Sequence, residues 1–314
     1  MKCPACGETG VRVLFSASDR LYGTTRQKFQ VAECVSCGLL RLDPPPAREE
    51  LARYYPDEYW YAPRKDAASR VEEAYRRFVL RDHVNFVLRA LADSGPTGPV
   101  VDIGCGGGLF LGMLRERGLR VLGLDNSQAA AEAAWTQHRV TVILGDLANS
   151  PIGEGTCAAA TMFHVLEHLH DPECYLRSAW NLLRPGGRLI VQVPNASSWQ
   201  FRVFGERWNG LDVPRHLVNY RERDLVRLVE RCGFEIVRRK GFSLRDNPAG
   251  FASSVSPDLD PMARRVRKIP ESPAGRLFKD LLYFALVLAA LPFTALEAAC
   301  GAGSTIMLEA RKKA

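Results

Sequence analysis

The stretch Val101-Asp102-Ile103-Gly104-Cys105-Gly106-Gly107-Gly108 sets a short apolar run, Val100 to Ile103, directly before a glycine cluster and a helical pattern from Leu109 to Arg117. Glycines at a strand-to-helix turn let the backbone bend tightly and come close to a ligand. The helix N-terminus beyond them adds a positive dipole. Such a turn alone is shared by many nucleotide-binding and unrelated α/β proteins, so the residues that follow matter. Val121 to Leu124 reads as a second strand ending in Asp125-Asn126, an acid placed to accept from a ribose diol. Val142 to Leu144 reads as a third, ending in Gly145-Asp146. Asp102 stands just before the first glycine, able to accept from a ligand ammonium group, and the dinucleotide-binding G-x-G-x-x-G pattern lacks that acid.

Outward from this core, strand and helix signals alternate. An Ala-rich helix is expected at 128–137, a strand at Ala158 to Val165, and a helix from the cap Asp171-Pro172 to the stop Gly186-Gly187. Leu189 to Val193 gives a fifth strand. A helical stripe through Leu225, Leu228, Val229 and Cys232 precedes a sixth at Phe234 to Val237, and Thr305 to Leu308 gives the last. Upstream, Val84, Val87, Leu88 and Leu91 place a helix over 70–92. This alternation predicts a mostly parallel sheet covered by helices on both faces.

In order and spacing, Asp102-Ile-Gly-Cys-Gly-Gly-Gly, Leu124-Asp125, Gly145-Asp146, His164-Val-Leu-Glu-His168 and Leu183-Arg-Pro-Gly-Gly-Arg188 resemble the motif series of class I S-adenosylmethionine (SAM)-dependent methyltransferases. The likeness spans about residues 95–242 plus the last strand. It implies an α/β, Rossmann-like fold with a seven-stranded, mostly parallel sheet. Its antiparallel last strand (304–314 with the tail) would follow a helical insertion at 243–303. It implies SAM as cofactor, with Asp102, Gly104, Cys105 and Gly106 around the methionine part and Asp125 and Asn126 at the ribose. Asp146 and Leu147 would lie at the adenine, and Phe163 and His164 on the sulfonium side. Cys157-Ala158 departs from the Phe-Asp or similar that usually opens the fourth strand.

Two C-x-x-C pairs, Cys3/Cys6 and Cys34/Cys37, are each followed by glycine and separated by a hairpin-like stretch. Four thiolates make a closed tetrahedral set, which points to structural zinc. The other five of the nine cysteines are scattered, and no apolar leader follows Met1, so metal is favoured over disulfides and a cytoplasmic setting is expected. Asp43-Pro-Pro-Pro46 closes a ribbon at 1–43. Residues 44–94 then form a linker rich in aromatics (Tyr54, Tyr55, Tyr59, Trp60, Tyr61) and the first long helix. This head resembles the ribbon that precedes a subset of bacterial-type class I methyltransferases.

An oxygen nucleophile wants a base near neutrality, and histidine suits. The candidates are His164, beside the fourth strand, and His216, in Trp208-Asn-Gly-Leu-Asp-Val-Pro-Arg-His216. A Pro-x-His of this kind recurs in the resembled family. Glu167 and His168 read as capping or packing the next helix. Trp199, Phe204 and Trp208 read as an apolar wall, and Tyr59 to Tyr61 as a cover or as core. The expected activity is O-methylation of a small acceptor, such as a sugar, polyketide, quinone-like or lipid-linked molecule. RNA or protein methylation, using the ribbon and a basic surface, is the alternative. No Asn/Asp-Pro-Pro-Tyr motif follows the fourth strand, which makes nucleic acid the less favoured partner. A non-catalytic SAM-binding regulatory module is the third reading.

Apolar content of 46% and charged content of 25% are ordinary for a soluble globular chain, and the net charge of +7 permits an anionic partner without choosing one. Leu281 to Leu296 carries no charge. As a helix it would measure about 24 Å against a bilayer core of about 30 Å. Arg264, Arg265, Arg267, Lys268, Arg276 and Lys279 precede it. The segment 278–300 is expected to be a lid, a homodimer interface or a membrane-surface contact, and the sequence leans to lid or interface.

Overall fold

In the computed structural model, which describes residues 2–56, 67–95 and 97–313, the chain opens with strands β1 (Val11–Ser18), β2 (Lys28–Cys34) and β3 (Leu40–Leu42). A one-turn helix α1 (Arg48–Leu51) and the long α2 (Ala67–Ser94) lead to β4 (Val100–Ile103), α3 (Leu109–Arg115), β5 (Val121–Asp125), α4 (Gln128–His138) and β6 (Val142–Leu144). Then come β7 (Cys157–Phe163), α5 (Pro172–Leu182), β8 (Leu183–Pro194), α6 (Trp199–Phe204), β9 (Val218–Asn219), α7 (Glu222–Arg231) and β10 (Phe234–Lys240). The chain ends with α8 (Asn247–Val255), α9 (Pro261–Val266), α10 (Pro273–Ala299) and β11 (Thr305–Lys312). Tyr59, Trp60 and Tyr61 lie outside the described residues.

Seven strands form one sheet in the order β10-β11-β8-β7-β4-β5-β6. From β8 to β6 the strands run parallel, and β11 is antiparallel to both its neighbours. The chain leaves β4 toward β5 and β6, then returns to β7 on the other side of β4. That reversal opens a crevice at the carboxyl ends of β4 and β7, where open α/β sheets bind ligands. The alanines of β7 have weak strand propensity. Pairing with β4 on one edge and β8 on the other imposes the extended backbone from Cys157 onward. β8 begins earlier than the expected Leu189. Leu183 already pairs with Cys157, and the ladder resumes at Arg188 opposite Ala159 after Gly186 turns through a φ of +74°. The expected cap at Asp171 is present, its Oδ1 accepting from the Cys174 N–H at 3.0 Å.

The ribbon is a β1–β2 hairpin with β3 added. Its fourth strand comes from the core, since β9 pairs with β3 through Leu40↔Asn219 and Arg41↔Val218. Just before β9, the fully buried Arg215 forks onto Asp19 of the ribbon, Nη2 to Oδ1 at 2.7 Å and Nη1 to Oδ2 at 3.1 Å. The same guanidinium reaches Asp212 Oδ1 at 2.7 Å and lies 4.5 Å above the Tyr22 ring. The ribbon sheet and the loop before β9 are therefore one mechanical unit.

The insertion between β10 and β11 is helical. Val287, Ala290, Thr294 and Glu297 form the buried side of α10. Glu297 accepts from the Gln200 backbone N–H at 2.8 Å and from Gln200 Nε2 at 3.0 Å. The Tyr283 hydroxyl lies 2.9 Å from Ser253 Oγ of α8.

Candidate cofactor and acceptor site

The glycine turn closes directly over the end of β4. Gly106 has a φ of +51° and open space where a side chain would begin, as a ligand-facing turn requires. Gly108 is tight instead. A Cβ there would sit 2.7 Å from Ala134 Cβ, so glycine is what lets α3 and α4 close up. Asp125 at the end of β5 braces the turn, with Oδ2 accepting from the Gly106 N–H and Oδ1 from the Ser127 N–H, each at 2.8 Å. Each carboxylate oxygen has a second lone pair, so bracing the turn leaves acceptor capacity for ribose hydroxyls. Burial raises the Asp125 carboxyl above its ordinary range.

The other expected cofactor residues divide. Asp102 is buried beneath the turn, its Oδ1 accepting from Thr161 Oγ1 of β7, and burial lifts it to about 7. Asn126 is exposed beside Asp125. Asp146 caps its own turn, accepting from the Ala148 N–H at 2.9 Å. Gly104 begins the turn, its N–H donating to the Leu124 carbonyl at 2.7 Å. The side chains of Cys105 and Leu147 face inward. Cys105 Sγ packs so close to Gly123 that a Cβ there would lie 2.5 Å away, and Leu147 is buried in the main core. Only their backbones remain in the turns. The Phe163 ring meets His83 and Phe110 edge-on at 4.9 and 5.1 Å.

Next to the turn lies a charged network the sequence reading resolved only in part. His164 has a φ of +57°, a strained conformation for a residue with a side chain. Its Nδ1 is 3.1 Å from Glu167 Oε1, and its Nε2 is 3.4 Å from Asp246 Oδ1. Burial pulls the imidazole down, but Asp246 and then Glu167 outweigh it and leave its pKa at about 9. The two carboxylates favour the charged imidazole, while Gln192 Nε2 also lies 2.9 Å from His164 Nε2. Asp246 also accepts from Gln192 Nε2 at 2.7 Å and from Ser243 Oγ at 2.5 Å.

His216 Nδ1 is 2.8 Å from the Gly210 carbonyl. A carbonyl only accepts, so Nδ1 is the donor there and Nε2 is the nitrogen left to exchange a proton. Nε2 points at Glu167 Oε1, 4.0 Å away, and Asp212 Oδ2, 3.9 Å away. Glu167, expected to cap or pack, instead bridges the two histidines, with its Oε2 buried and without a hydrogen bond. His168 packs edge-on against His216 at 4.6 Å, and its Nδ1 faces the Tyr55 hydroxyl at 2.9 Å and the Arg215 carbonyl at 3.1 Å. Burial, then the neighbouring His216, pushes His168 down to about 4. Trp199, Phe204 and Trp208 do not form an open wall. They pack against Phe293, Phe251 and Phe201 respectively, which seats α6 under the insertion.

The four ribbon cysteines converge, all four sulfurs lying within 4.8 Å of one another. Cys3 to Cys37 and Cys6 to Cys34 are each 3.6 Å. Tetrahedral Zn–S bonds of about 2.3 Å put sulfurs ~3.8 Å apart, so the set fits zinc. A cavity of about 510 Å³ lies between the ribbon and α5, lined in part by Cys3, Arg41, Asp171 and Arg231. No residue of the glycine turn lines it, and the cofactor assignment rests on the turn and its acids.

A family model described as a methyltransferase domain matches residues 73–239, more than half of the chain. A Mycolicibacterium smegmatis protein named a probable S-adenosylmethionine-dependent methyltransferase is 30% identical over 182 residues, covering 58% of this chain and 65% of that protein. A ubiquinone biosynthesis O-methyltransferase of Cupriavidus pinatubonensis is 28% identical, covering 51% of this chain and 69% of the relative. The geranyl diphosphate C-methyltransferase of Streptomyces coelicolor superposes with a TM-score of 0.53 at 16% identity, over 85% of this chain and all of that one, a likeness of fold. With the glycine turn, its bracing acid and the seven-stranded sheet all in place, the chain belongs to the methyltransferase domain family.

Proposed function

We propose that this protein is a SAM-dependent O-methyltransferase of a small-molecule acceptor, with His216 as the proton acceptor. Bound SAM supplies an electrophilic methyl group on a sulfonium. The observation that carries the reading is the His216 geometry, with Nδ1 tied to a backbone carbonyl and Nε2 open toward Glu167 and Asp212. In this reading SAM held at the glycine turn would supply the methyl group and leave as S-adenosylhomocysteine, while His216 Nε2 would take the proton of the acceptor hydroxyl and Glu167 and Asp212 would stabilise the imidazolium. Glu167 and Arg215 act as positioning residues. His164, held between Asp246 and Glu167, orders the crevice floor. The relative named for ubiquinone biosynthesis lends weight to an oxygen acceptor. Structural zinc in the ribbon is part of the same proposal.

The test is methyl transfer to a panel of phenolic and sugar acceptors by wild type and His216→Ala, with S-adenosylhomocysteine binding measured by calorimetry. A fall in turnover of about 10²–10⁴-fold with unchanged cofactor binding is expected. Equal turnover in the variant would remove His216 from the chemistry, and tight binding without turnover of any acceptor would favour a regulatory module.

A further inference from the structure

Past Arg276 in its first turn, the side of α10 that faces away from the protein is apolar. Leu277, Phe278, Leu281, Phe284, Leu288 and Leu296 are all exposed, Phe278 at 67% and Leu281 at 60%. No charged residue interrupts the helix from Leu281 to Leu296. The patch extends onto α2, where Tyr75 meets Phe284 edge-on at 6.5 Å and Phe78 is exposed beside it. A contiguous apolar face of this size on a globular protein marks a binding surface.

By length and composition α10 could cross a bilayer, but the topology forbids it. One crossing would put its ends on opposite sides of the membrane. Yet β10, before the insertion, and β11, after it, are paired from Phe234↔Lys312 to Lys240↔Met307. The inner face is also fastened, through Glu297 to Gln200 and Tyr283 to Ser253. The helix can lie in a membrane plane and cannot span one.

Charge selects the occupant. Between residues 258 and 280 cations outnumber acids. The acids next to the helix, Glu271 and Asp280, are shared among Arg264, Lys279 and Arg276, and Arg265, Lys268 and Arg276 are exposed to solvent at the same end. A second copy meeting this face with its own would bring the same excess of cations, whereas anionic headgroups at the edge of an apolar layer would complement that excess. We propose that α10, with the adjoining flank of α2, seats this protein in the plane of an anionic lipid surface.

The experiment is co-sedimentation of the full-length protein with phosphatidylcholine vesicles, with and without phosphatidylglycerol, alongside its oligomeric state by light scattering. A monomer that binds only the phosphatidylglycerol vesicles, less well at high salt, is expected. The double variant Phe278→Glu/Leu281→Glu should weaken that binding at least about tenfold. Arg265→Ser/Lys268→Ser/Arg276→Ser should weaken it too, and serves if the first variant folds poorly. Thermal melting and S-adenosylhomocysteine binding of the folded variants should match wild type. Absence of binding, equal binding to both vesicle types, or a dimer dispersed by Phe278→Glu/Leu281→Glu would each overturn the proposal. Neither readout involves turnover, so the outcome is independent of the proposed chemistry.

Discussion

Replacing Arg215 with methionine should cost about 3–5 kcal/mol of folding stability, the range for breaking a buried ion pair from one side. The guanidinium is fully buried and forks onto Asp19, grips Asp212 through three contacts of 2.7–3.1 Å, and donates to the Tyr54 carbonyl at 3.2 Å. Methionine fills the space but leaves two carboxylates facing a low-dielectric pocket. Asp19 keeps donors from the Tyr22 and Thr24 backbone, which holds the cost within that range. The assay is urea denaturation followed by tryptophan fluorescence, on wild type, Arg215→Met, Asp19→Asn and the double variant. A coupling above about 1 kcal/mol is expected for groups in direct contact. Burial alone would raise the Asp19 carboxyl, but its bonds to Arg215 lower it below the ordinary 3.8. Its contribution is therefore complete above that value and drains away as the pH falls through the folded pKa, so the gap between wild type and Arg215→Met should narrow in acid. Additive single effects, or a loss under about 1 kcal/mol for Arg215→Met, would refute the reasoning.

Removing a ribbon thiolate with Cys34→Ala should lower bound zinc, measured by atomic emission, and reduce turnover more than S-adenosylhomocysteine affinity, because Asp19 holds the His216 loop through Arg215. Asp125→Asn should weaken S-adenosylhomocysteine binding by about tenfold or more, read by calorimetry, since an amide NH₂ would face the Gly106 or Ser127 N–H that the carboxylate now accepts. His164 rises from an ordinary 6.5 to about 9 on folding. Its stabilisation is full below pH 6.5 and is lost as the pH climbs through 9. Chemical denaturation across that window should show a decline that His164→Gln flattens, and a parallel decline in the variant would disprove the assignment.

The parallel core was legible because its signals are local. A glycine cluster after Val100 to Ile103, acids closing two successive strands and a proline-marked cap at Asp171 each declare themselves within a few residues. The Cys3/Cys6 and Cys34/Cys37 spacing was equally plain. Long-range pairing was not. Nothing near Val218-Asn219 announces a strand that completes a sheet begun at Val11, and a two-residue strand carries no periodicity to read. Asp246 lies in a polar stretch and reaches His164 only because β10 and α8 return to the carboxyl edge. Glu167 read as capping or packing the next helix, and its place between His164 and His216 is a tertiary fact that no local pattern shows. The outward side of α10 was hidden for the same reason, since composition reports that a segment is apolar and not which neighbours leave it uncovered.

The placement of β11 has a consequence for synthesis. It is made after both of its neighbours, β8 and β10, yet it lies between them, so the sheet has a gap until residues 305–312 leave the ribosome. Until then the facing edges of β8 and β10 offer unpaired backbone groups to any passing strand, while the apolar α10 has already emerged. A nascent chain stalled within the insertion would combine two open edges with an uncovered hydrophobic helix, the condition in which chaperones or a nearby lipid surface matter most.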